Sequence, residues 1–359
     1  MVKSIPLAKP MITRAERRAV DRVLRSGNLA QGPEVAAFEI EFSQFVGGRE
    51  CVAVNSGTSA LHVALLSLGI GPGDEVIVPS FTFAATANSV ALAGAEPIFV
   101  DIDPRTFNID PTEIERAITP RTKAIQVVHL YGLPANMIDI MKIAERHNLK
   151  VIEDAAQAHL ASINSKPVGT FGDAAAFSFY PTKNMTSGEG GMIVFANSQN
   201  ARVAKLLRNQ GMEKRYQNEV IGFNLRMTDI HAAIGRQQLR KINSWTKKRQ
   251  ANAIYLSSKI SKVVTPAIPN GYSHVFHQYT IRVPHNRDAF SIKLNDLGIG
   301  NGVYYPTQVH KLPSFSRNIE LPHTQAATEE VISLPIHPSL SKTDLSRIAD
   351  AVNRIAEVI

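Results

Sequence analysis

Three pieces of residues 151–195 decide how this chain folds. They read Val151-Ile152-Glu153-Asp154-Ala155-Ala156-Gln157, then Phe171-Gly172-Asp173-Ala174-Ala175-Ala176-Phe177-Ser178-Phe179-Tyr180-Pro181-Thr182-Lys183-Asn184, then Ser187-Gly188-Glu189-Gly190-Gly191-Met192-Ile193-Val194-Phe195. The first piece is a short apolar run that stops at two carboxylates, the pattern of a buried parallel strand. Open α/β sheets bind ligands beyond the C-terminal ends of such strands, so Asp154 arrives at a binding mouth. A second apolar run, residues 174–180, ends at Pro181 and is followed at once by Lys183. A carboxylate and an amine then face one site.

Working outward, the segments on either side alternate between strand and helix. Thr13-Arg14-Ala15-Glu16 is a capping box, and Ala19, Val20, Val23 and Leu24 recur at helical spacing until Gly27. Residues 33–46 place Ala37, Phe38, Phe42 and Phe45 on one helical face. Residues 51–54 read as a strand that turns through Asn55-Ser56-Gly57-Thr58-Ser59 into a helix over 60–68. Strands are expected at 75–79, 97–101 and 124–129, and helices at 81–93, from Asp110, and at 136–147. This alternation specifies an α/β fold with a mainly parallel sheet, helices on both faces and right-handed crossovers. Beyond Asn197 the pattern turns helical, with a long helix expected from Asp229 to about Ile254. It then shifts to short β-like runs such as 278–283, Pro-rich turns and a last amphipathic helix over 345–359. The expected organisation is a large domain over 1–245, including the N-terminal segment, and a smaller C-terminal α+β domain over 246–359.

Composition sets outer limits. A chain of 359 residues can bury a large core. No run approaches the ~20 apolar residues of a membrane span. Met1-Val2-Lys3-Ser4-Ile5-Pro6 leads into no apolar stretch of the signal-peptide kind, so a cytoplasmic protein is expected. The single cysteine, Cys51, excludes an intrachain disulfide and leaves too few thiolates for a structural zinc site. Net charge is +8, and residues 201–250 carry twelve Lys or Arg against Glu213, Glu219 and Asp229. That segment reads as a solvated helical face. An anionic partner, either the pyrophosphate of a nucleotide sugar or nucleic acid, is the competing reading.

The cofactor that most directly needs the Asp154 and Lys183 pair is pyridoxal phosphate (PLP), whose aldehyde bonds to a lysine and whose ring nitrogen is kept protonated by an aspartate. Small hydroxyl residues and a glycine at a helix start form a natural phosphate site, which assigns Gly57, Thr58 and Ser59 to the cofactor phosphate. Phe81 and Phe83 leave the strand ending at 79 on the side of the expected ring, where a flat aromatic face can cover it.

The same residues carry a family likeness. Glu153-Asp154-Ala155-Ala156-Gln157, Phe177-Ser178-Phe179 followed by Lys183, and Gly188-Glu189-Gly190-Gly191 resemble the DegT/DnrJ/StrS family of PLP-dependent sugar aminotransferases, of fold type I, the aspartate-aminotransferase fold. Residues 55–61 and 222–227 extend the likeness, which covers residues 5–355. It implies that Lys183 is the covalent anchor and proton carrier, with Asp154 on the ring nitrogen. It also implies that Gln157 lies near the 3-hydroxyl side, that Ser178 adds a phosphate hydroxyl, and that Phe83 rather than Phe81 covers the ring. Tyr304, Tyr305 and His310 resemble the sugar-facing loop, with Arg226 and His159 as further candidates. The loop Gly222-Phe223-Asn224-Leu225-Arg226-Met227 would cross the two-fold interface of a homodimer, its Asn224 reaching the partner's cofactor phosphate.

The implied reaction moves an amino group, with glutamate as donor, onto a nucleotide-diphosphate-linked keto-sugar. Relatives that eliminate a hydroxyl carry histidine at the lysine position, so Lys183 speaks against a sugar dehydratase. An aminohydroxybenzoate synthase of the same family stays open. A DNA-binding regulator that merely keeps the fold would have no need of Asp154, Ser178 and Lys183.

Overall fold

A computed structural model describes residues 4–283 and 285–358. Two helices, α1 (Arg14–Ser26) and α2 (Pro33–Ser43), precede the sheet. The Thr13/Glu16 capping box opens α1, and Gly27 closes it at a φ of 75°, a conformation that favours glycine. Strands β1 (Glu50–Val54), β2 (Glu75–Pro79), β3 (Glu96–Val100), β4 (Thr122–Val128) and β5 (Lys150–Asp154) alternate with α3 (Gly57–Ser67), α4 (Ala85–Leu92), α5 (Pro111–Arg116) and α6 (Met137–His147). The short strands β6 (Ser162–Ile163) and β7 (Lys166–Pro167) lead to β8 (Ala174–Ser178) and β9 (Gly191–Phe195), which α7 (Ser198–Arg208) follows.

One seven-stranded sheet has the order β1-β9-β8-β5-β4-β2-β3. The neighbours from β8 through β3 are parallel, while β9 runs antiparallel to both β1 and β8. Side chains alternate across this sheet as the pleat requires. Val52, Val54, Ala174 and Ala176 join the core under α3 and α7, whereas Cys51, Ala53, Ala175 and Phe177 join the one that holds Phe38 and Phe42 of α2. Helices therefore cover both faces, as the alternating pattern predicts.

The second half contains the hairpin β10 (Met212–Lys214) and β11 (Gln217–Asn218), then α8 (Asp229–Leu239) and α9 (Ile242–Lys259). β12 (Tyr272–Ser273) pairs with β6, and β13 (Tyr279–Arg282) pairs antiparallel with β14 (Val331–Leu334). Helices α10 (Arg287–Asp296) and α12 (Lys342–Ala356) pack around that second pair, whereas Ala327 of α11 (Pro322–Glu330) joins a cluster with Phe81, Phe107 and Tyr131. Among the described residues no helix is long and apolar enough to cross a membrane.

Four expectations need correction. The long helix from Asp229 is two helices, because the Lys241 N–H turns back to the Gln238 carbonyl at 2.9 Å and closes α8. Trp245 does not separate two domains, since it sits inside α9. That helix changes partners along its length: Ile242 belongs to the core under α2 and α8, while Ala253 and Leu256 belong to the C-terminal core. Of the N-terminal segment, Ala19 and Val23 of α1 pack on Ala233 of α8, whereas the stretch around Ile5 joins the C-terminal unit. Ile5 packs in that core and exchanges backbone bonds of 2.8 Å with Gly298 and Gly300. Finally, α4 starts at Ala85 instead of residue 81, and Ser80 does not cap it, because the Ser80 hydroxyl is held by His310. Ile359, the expected end of the last helix, lies outside the described residues.

Candidate active site

Lys183 sits in the excursion between β8 and β9, two strands paired from Ala174↔Phe195 to Ser178↔Gly191. Local bonds fix that excursion. The Phe179 carbonyl accepts from the Ser187 N–H and the Thr186 hydroxyl, the Phe179 N–H donates to the Gly190 carbonyl at 2.9 Å, and the Lys183 N–H donates to the Tyr180 carbonyl at 2.9 Å. Asp154 ends β5, the parallel neighbour of β8. Both side chains open onto one cavity of about 650 Å³, so the mouth expected from two strand ends is a real enclosure.

The two carboxylates at the end of β5 separate. Pleating sends Glu153 away from the cavity, where it accepts from the N–H groups of Gly169, Phe171 and Gly172 at 2.8–2.9 Å and from His129 Nε2 at 3.1 Å. Burial works to raise its pKa, yet His129 and these N–H groups hold it below the ordinary glutamate range. Asp154 faces the cavity with Oδ2 accepting from the Thr86 hydroxyl at 2.8 Å and Oδ1 from the Ala156 N–H at 3.2 Å. Burial pushes the Asp154 carboxyl above its ordinary range, against the pull of Thr86, Ala156 and Lys183. Burial lowers the Lys183 amine to about 8, and Asp154 opposes that shift.

At the far end of the cavity α3 begins. Ser56 is its cap, its Oγ accepting from the Ser59 N–H at 3.1 Å. Gly57 and Thr58, as first-turn residues, have N–H groups with no intrahelical acceptor, and both line the cavity. Ser59 does not line it: its hydroxyl turns back to Asn55 Oδ1 at 2.7 Å and its N–H is spent on the cap. Of the three residues expected here, Gly57 and Thr58 line the cavity, together with Ser56 in place of Ser59. Ser178 closes it from β8, approaching so near that a Cβ on Gly57 would lie 2.8 Å from Ser178 Cβ.

Gln157 lines the cavity with its amide fixed at both ends. Oε1 accepts from the Tyr131 N–H at 2.6 Å, and Nε2 donates to the Tyr305 hydroxyl at 3.1 Å. Phe83 is 59% exposed on the cavity wall, its ring 5.9 Å from that of Tyr305. Phe81 is 1% exposed and packs among Phe107, Tyr131 and Tyr305, so core packing occupies it. Tyr304 and Tyr305 line the cavity.

Four candidates lie elsewhere in the chain. His310 is fully buried, with Nδ1 on the Ser80 hydroxyl at 2.7 Å and Nε2 on the Ile319 carbonyl at 3.1 Å. It joins two loops and has no nitrogen left for a substrate. Asn224 is exposed, and Arg226 bonds Asn209 at 2.9 Å; neither reaches its own chain's cavity. His159 is buried between Phe177 and Phe179, outside the cavity.

Sequence reading missed Leu7, Tyr180, Glu189, His277, Gln278, Leu334 and Ile336, all of which line the cavity. Tyr180 and Glu189 lie inside the quoted stretches and could have been found by their place in the Lys183 excursion. The others come from distant segments that no local pattern connects. Part of the basic segment is neutralised within the chain. Arg202 pairs with Glu213 and Glu219, Lys205 with Glu50, Arg208 with Glu39, Arg236 with Glu34 and Glu41, and Lys241 with Glu16.

A family model described as the DegT/DnrJ/EryC1/StrS aminotransferase family matches residues 10–353. The chain belongs to that family. It is 42% identical over 350 residues to a protein of Geobacillus stearothermophilus called a pleiotropic regulatory protein, covering 95% of this chain and 93% of the relative. It is equally 42% identical to a UDP-N-acetyl-3-dehydro-alpha-D-glucosamine 3-aminotransferase of Acidithiobacillus ferrooxidans, covering 93% and 92%. The crystal structure of NtdA from Bacillus subtilis with bound cofactor PMP superposes with a TM-score of 0.91 at 33% identity, covering 99% of this chain and 86% of that one.

Proposed function

We propose that this family member is a PLP-dependent aminotransferase that moves an amino group, with glutamate as donor, onto a nucleotide-diphosphate-linked keto-sugar, in the cytoplasm. The observation that carries this reading is the convergence of Lys183, Asp154 and the first turn of α3 on one cavity. The residues fit the cofactor. Unspent N–H groups at Gly57 and Thr58 and the Ser178 side chain supply a phosphate cradle that a Cβ at residue 57 would fill. Asp154 offers a carboxylate to a ring nitrogen, Gln157 supports the 3-hydroxyl side, and Phe83 presents an aromatic face.

When bound, the cofactor supplies an electron sink for a carbanion beside the amine nitrogen. This chain's residues do the rest. Asp154 keeps the ring nitrogen protonated, and a cation beside it would hold the carboxylate charged in spite of burial. The Lys183 amine, at about 8, gains and loses a proton readily near neutral pH, which suits a group that carries a proton from the donor α-carbon and returns one to the acceptor. Tyr304, Tyr305 and the apolar side chains of Leu7, Leu334 and Ile336 exclude water from the sugar end.

Gly57→Ala tests the cradle. The added methyl should displace Ser178 and weaken cofactor affinity by about tenfold or more, measured by cofactor release on dilution. Unchanged affinity would remove the phosphate from this end of the cavity.

A homodimer with shared sites is part of the proposal. Among the described residues Lys183 is the one Lys or Arg that lines the cavity, too little charge for a cofactor phosphate and a substrate pyrophosphate. Asn224 and Arg226 lie outside it, next to exposed Ile221 and Phe223, the kind of apolar strip that marks an interface. These residues would act on the partner's site. In a mixed dimer, let one chain carry Lys183→Ala and the other Asn224→Asp, which sets like charge beside the phosphate. If Asn224 acts across the interface, one site collects both intact residues and activity recovers to about half the wild-type value. No recovery would place Asn224 in its own chain's function.

The regulator reading has less behind it, because Arg202, Lys205, Arg208, Arg236 and Lys241 of the basic segment are engaged with this chain's own carboxylates. The deciding experiment mixes the pyridoxamine-phosphate-loaded protein with a panel of nucleotide-linked keto-sugars. Return of the visible aldehyde-form absorbance with one of them identifies the acceptor. A purified protein with no cofactor absorbance and a salt-dependent shift of DNA on a gel would overturn the reading.

A further inference from the structure

Among the described residues none accepts a hydrogen bond from Lys183 Nζ. The polar side chains around it are otherwise engaged: Asp154 with Thr86 and Ala156, Gln157 with Tyr131 and Tyr305. His277 is different. It lines the same cavity, is only 7% exposed, and has an Nδ1 sealed from solvent without a partner. Its Nε2 likewise makes no hydrogen bond among the described residues, yet is not sealed off, which leaves that atom facing the cavity. A buried polar side chain without a partner is costly enough to call for an explanation.

The backbone that carries this ring is held on both sides of it. The Val275 N–H donates to the Gly132 carbonyl at 3.0 Å, and the Gln278 N–H to the Tyr131 carbonyl at 3.2 Å. Arg249 Nη1 donates to the carbonyls of Phe276 at 3.0 Å and His277 at 3.4 Å. Arg249 is itself buried, and among the described residues no carboxylate pairs with it. A cation is thus kept in the interior to hold the backbone of residues 276–277. The groups around His277 all oppose a charge on it. Burial acts first, followed by Lys183, Arg249, His159 and His274, and together they keep the imidazole neutral well below the ordinary histidine range. A neutral imidazole has one bare nitrogen, which is an acceptor.

We propose that His277 is a positioning residue for Lys183, its Nε2 accepting a hydrogen bond from the lysine amine whenever that amine is free, with Arg249 holding the ring in place. This rests on the reading of Lys183 as the catalytic amine. The bond gives the freed side chain one resting direction on the cavity wall. It also favours the ammonium form, adding to the effect of Asp154 against the burial that depresses Lys183.

The test uses full-length protein loaded with pyridoxamine phosphate, in which Lys183 is free. Trace acylation with acetic anhydride between pH 6 and 10, followed by mass spectrometry of the Lys183 peptide, reads the protonation midpoint of that amine. His277→Phe should lower the midpoint by about one pH unit, so that at pH 6 Lys183 acylates roughly tenfold faster. Turnover should fall about tenfold or more with the donor KM within about twofold, the signature of a lost positioning contact. His277→Gln, whose amide reaches the place of Nε2, should keep the wild-type midpoint, whereas His277→Asn, which reaches only the place of Nδ1, should behave like phenylalanine. A midpoint unmoved in His277→Phe overturns the proposal. If that variant does not fold, equal midpoints in the glutamine and asparagine variants overturn it as well. Wild-type protein without a lysine-linked visible band would sink the functional reading instead, whereas a band with unmoved midpoints sinks only the role of His277.

Discussion

Lys183→Ala is expected to yield a folded protein that has lost the visible band of a lysine-linked cofactor and at least about 10⁴-fold of its transamination rate. Folding should survive, because the side chain is outside every core cluster and its amine bonds nothing in the described chain. The backbone of the excursion is held by Phe179, Thr186, Ser187 and Gly190, which the substitution does not touch. What disappears is both the covalent anchor and the proton carrier, and effects of general acid–base and covalent catalysis lost together are large. Borohydride reduction of the wild type followed by peptide mapping should label residue 183. A label on another lysine would show that the cavity has been assigned to the wrong amine.

Asp154→Asn should separate binding from chemistry. The amide keeps the carboxylate's shape and can still meet Thr86 and the Ala156 N–H, so cofactor affinity should change by less than about tenfold. Without a negative charge the ring nitrogen loses its proton near neutral pH, and the proton-transfer step should slow by about 10³-fold or more. Single-turnover absorbance changes with a saturating donor measure that step directly. Near-normal rates would mean that another group holds the ring nitrogen. The wild-type pH dependence has a definite sign. Lys183 must shed its proton to act as a base, so the rate of donor-side proton removal should rise through about pH 8 and level off above it.

The sheet and its mouth could be read from residues 151–195 because period, polarity and chain direction all change together there. Apolar runs that stop at Asp154 and Pro181 state both where strands end and what stands at their ends. The start of α3 was harder. Ser56 and Ser59 have the same side chain, and which one caps a helix depends on the backbone angles of Asn55 and Ser56, which spacing does not report. The single helix expected from Asp229 carries no glycine or proline where it breaks. It stops where the Lys241 N–H turns back to the Gln238 carbonyl, a local bond that residue spacing does not report. His310 sits in a Tyr-rich loop like a ligand-binding residue, but its fate was decided by Ser80, some 230 positions away in the chain. His277 left no local signal, since its place depends on Arg249 and on the loop around Gly132.

The path of α9 and the N-terminal strand bears on how this protein comes apart. Because one unbroken helix contributes Ile242 to the first core and Leu256 to the second, no cut between the units leaves both intact. Ile5 ties the beginning of the described chain to residues 298–300, so the C-terminal unit is completed by a segment synthesised nearly three hundred residues earlier. During synthesis that unit cannot finish its core by waiting for its own sequence alone. The early segment must stay available while the sheet forms, and the catalytic cavity, whose wall includes Leu7, closes only when the two ends of the chain have met.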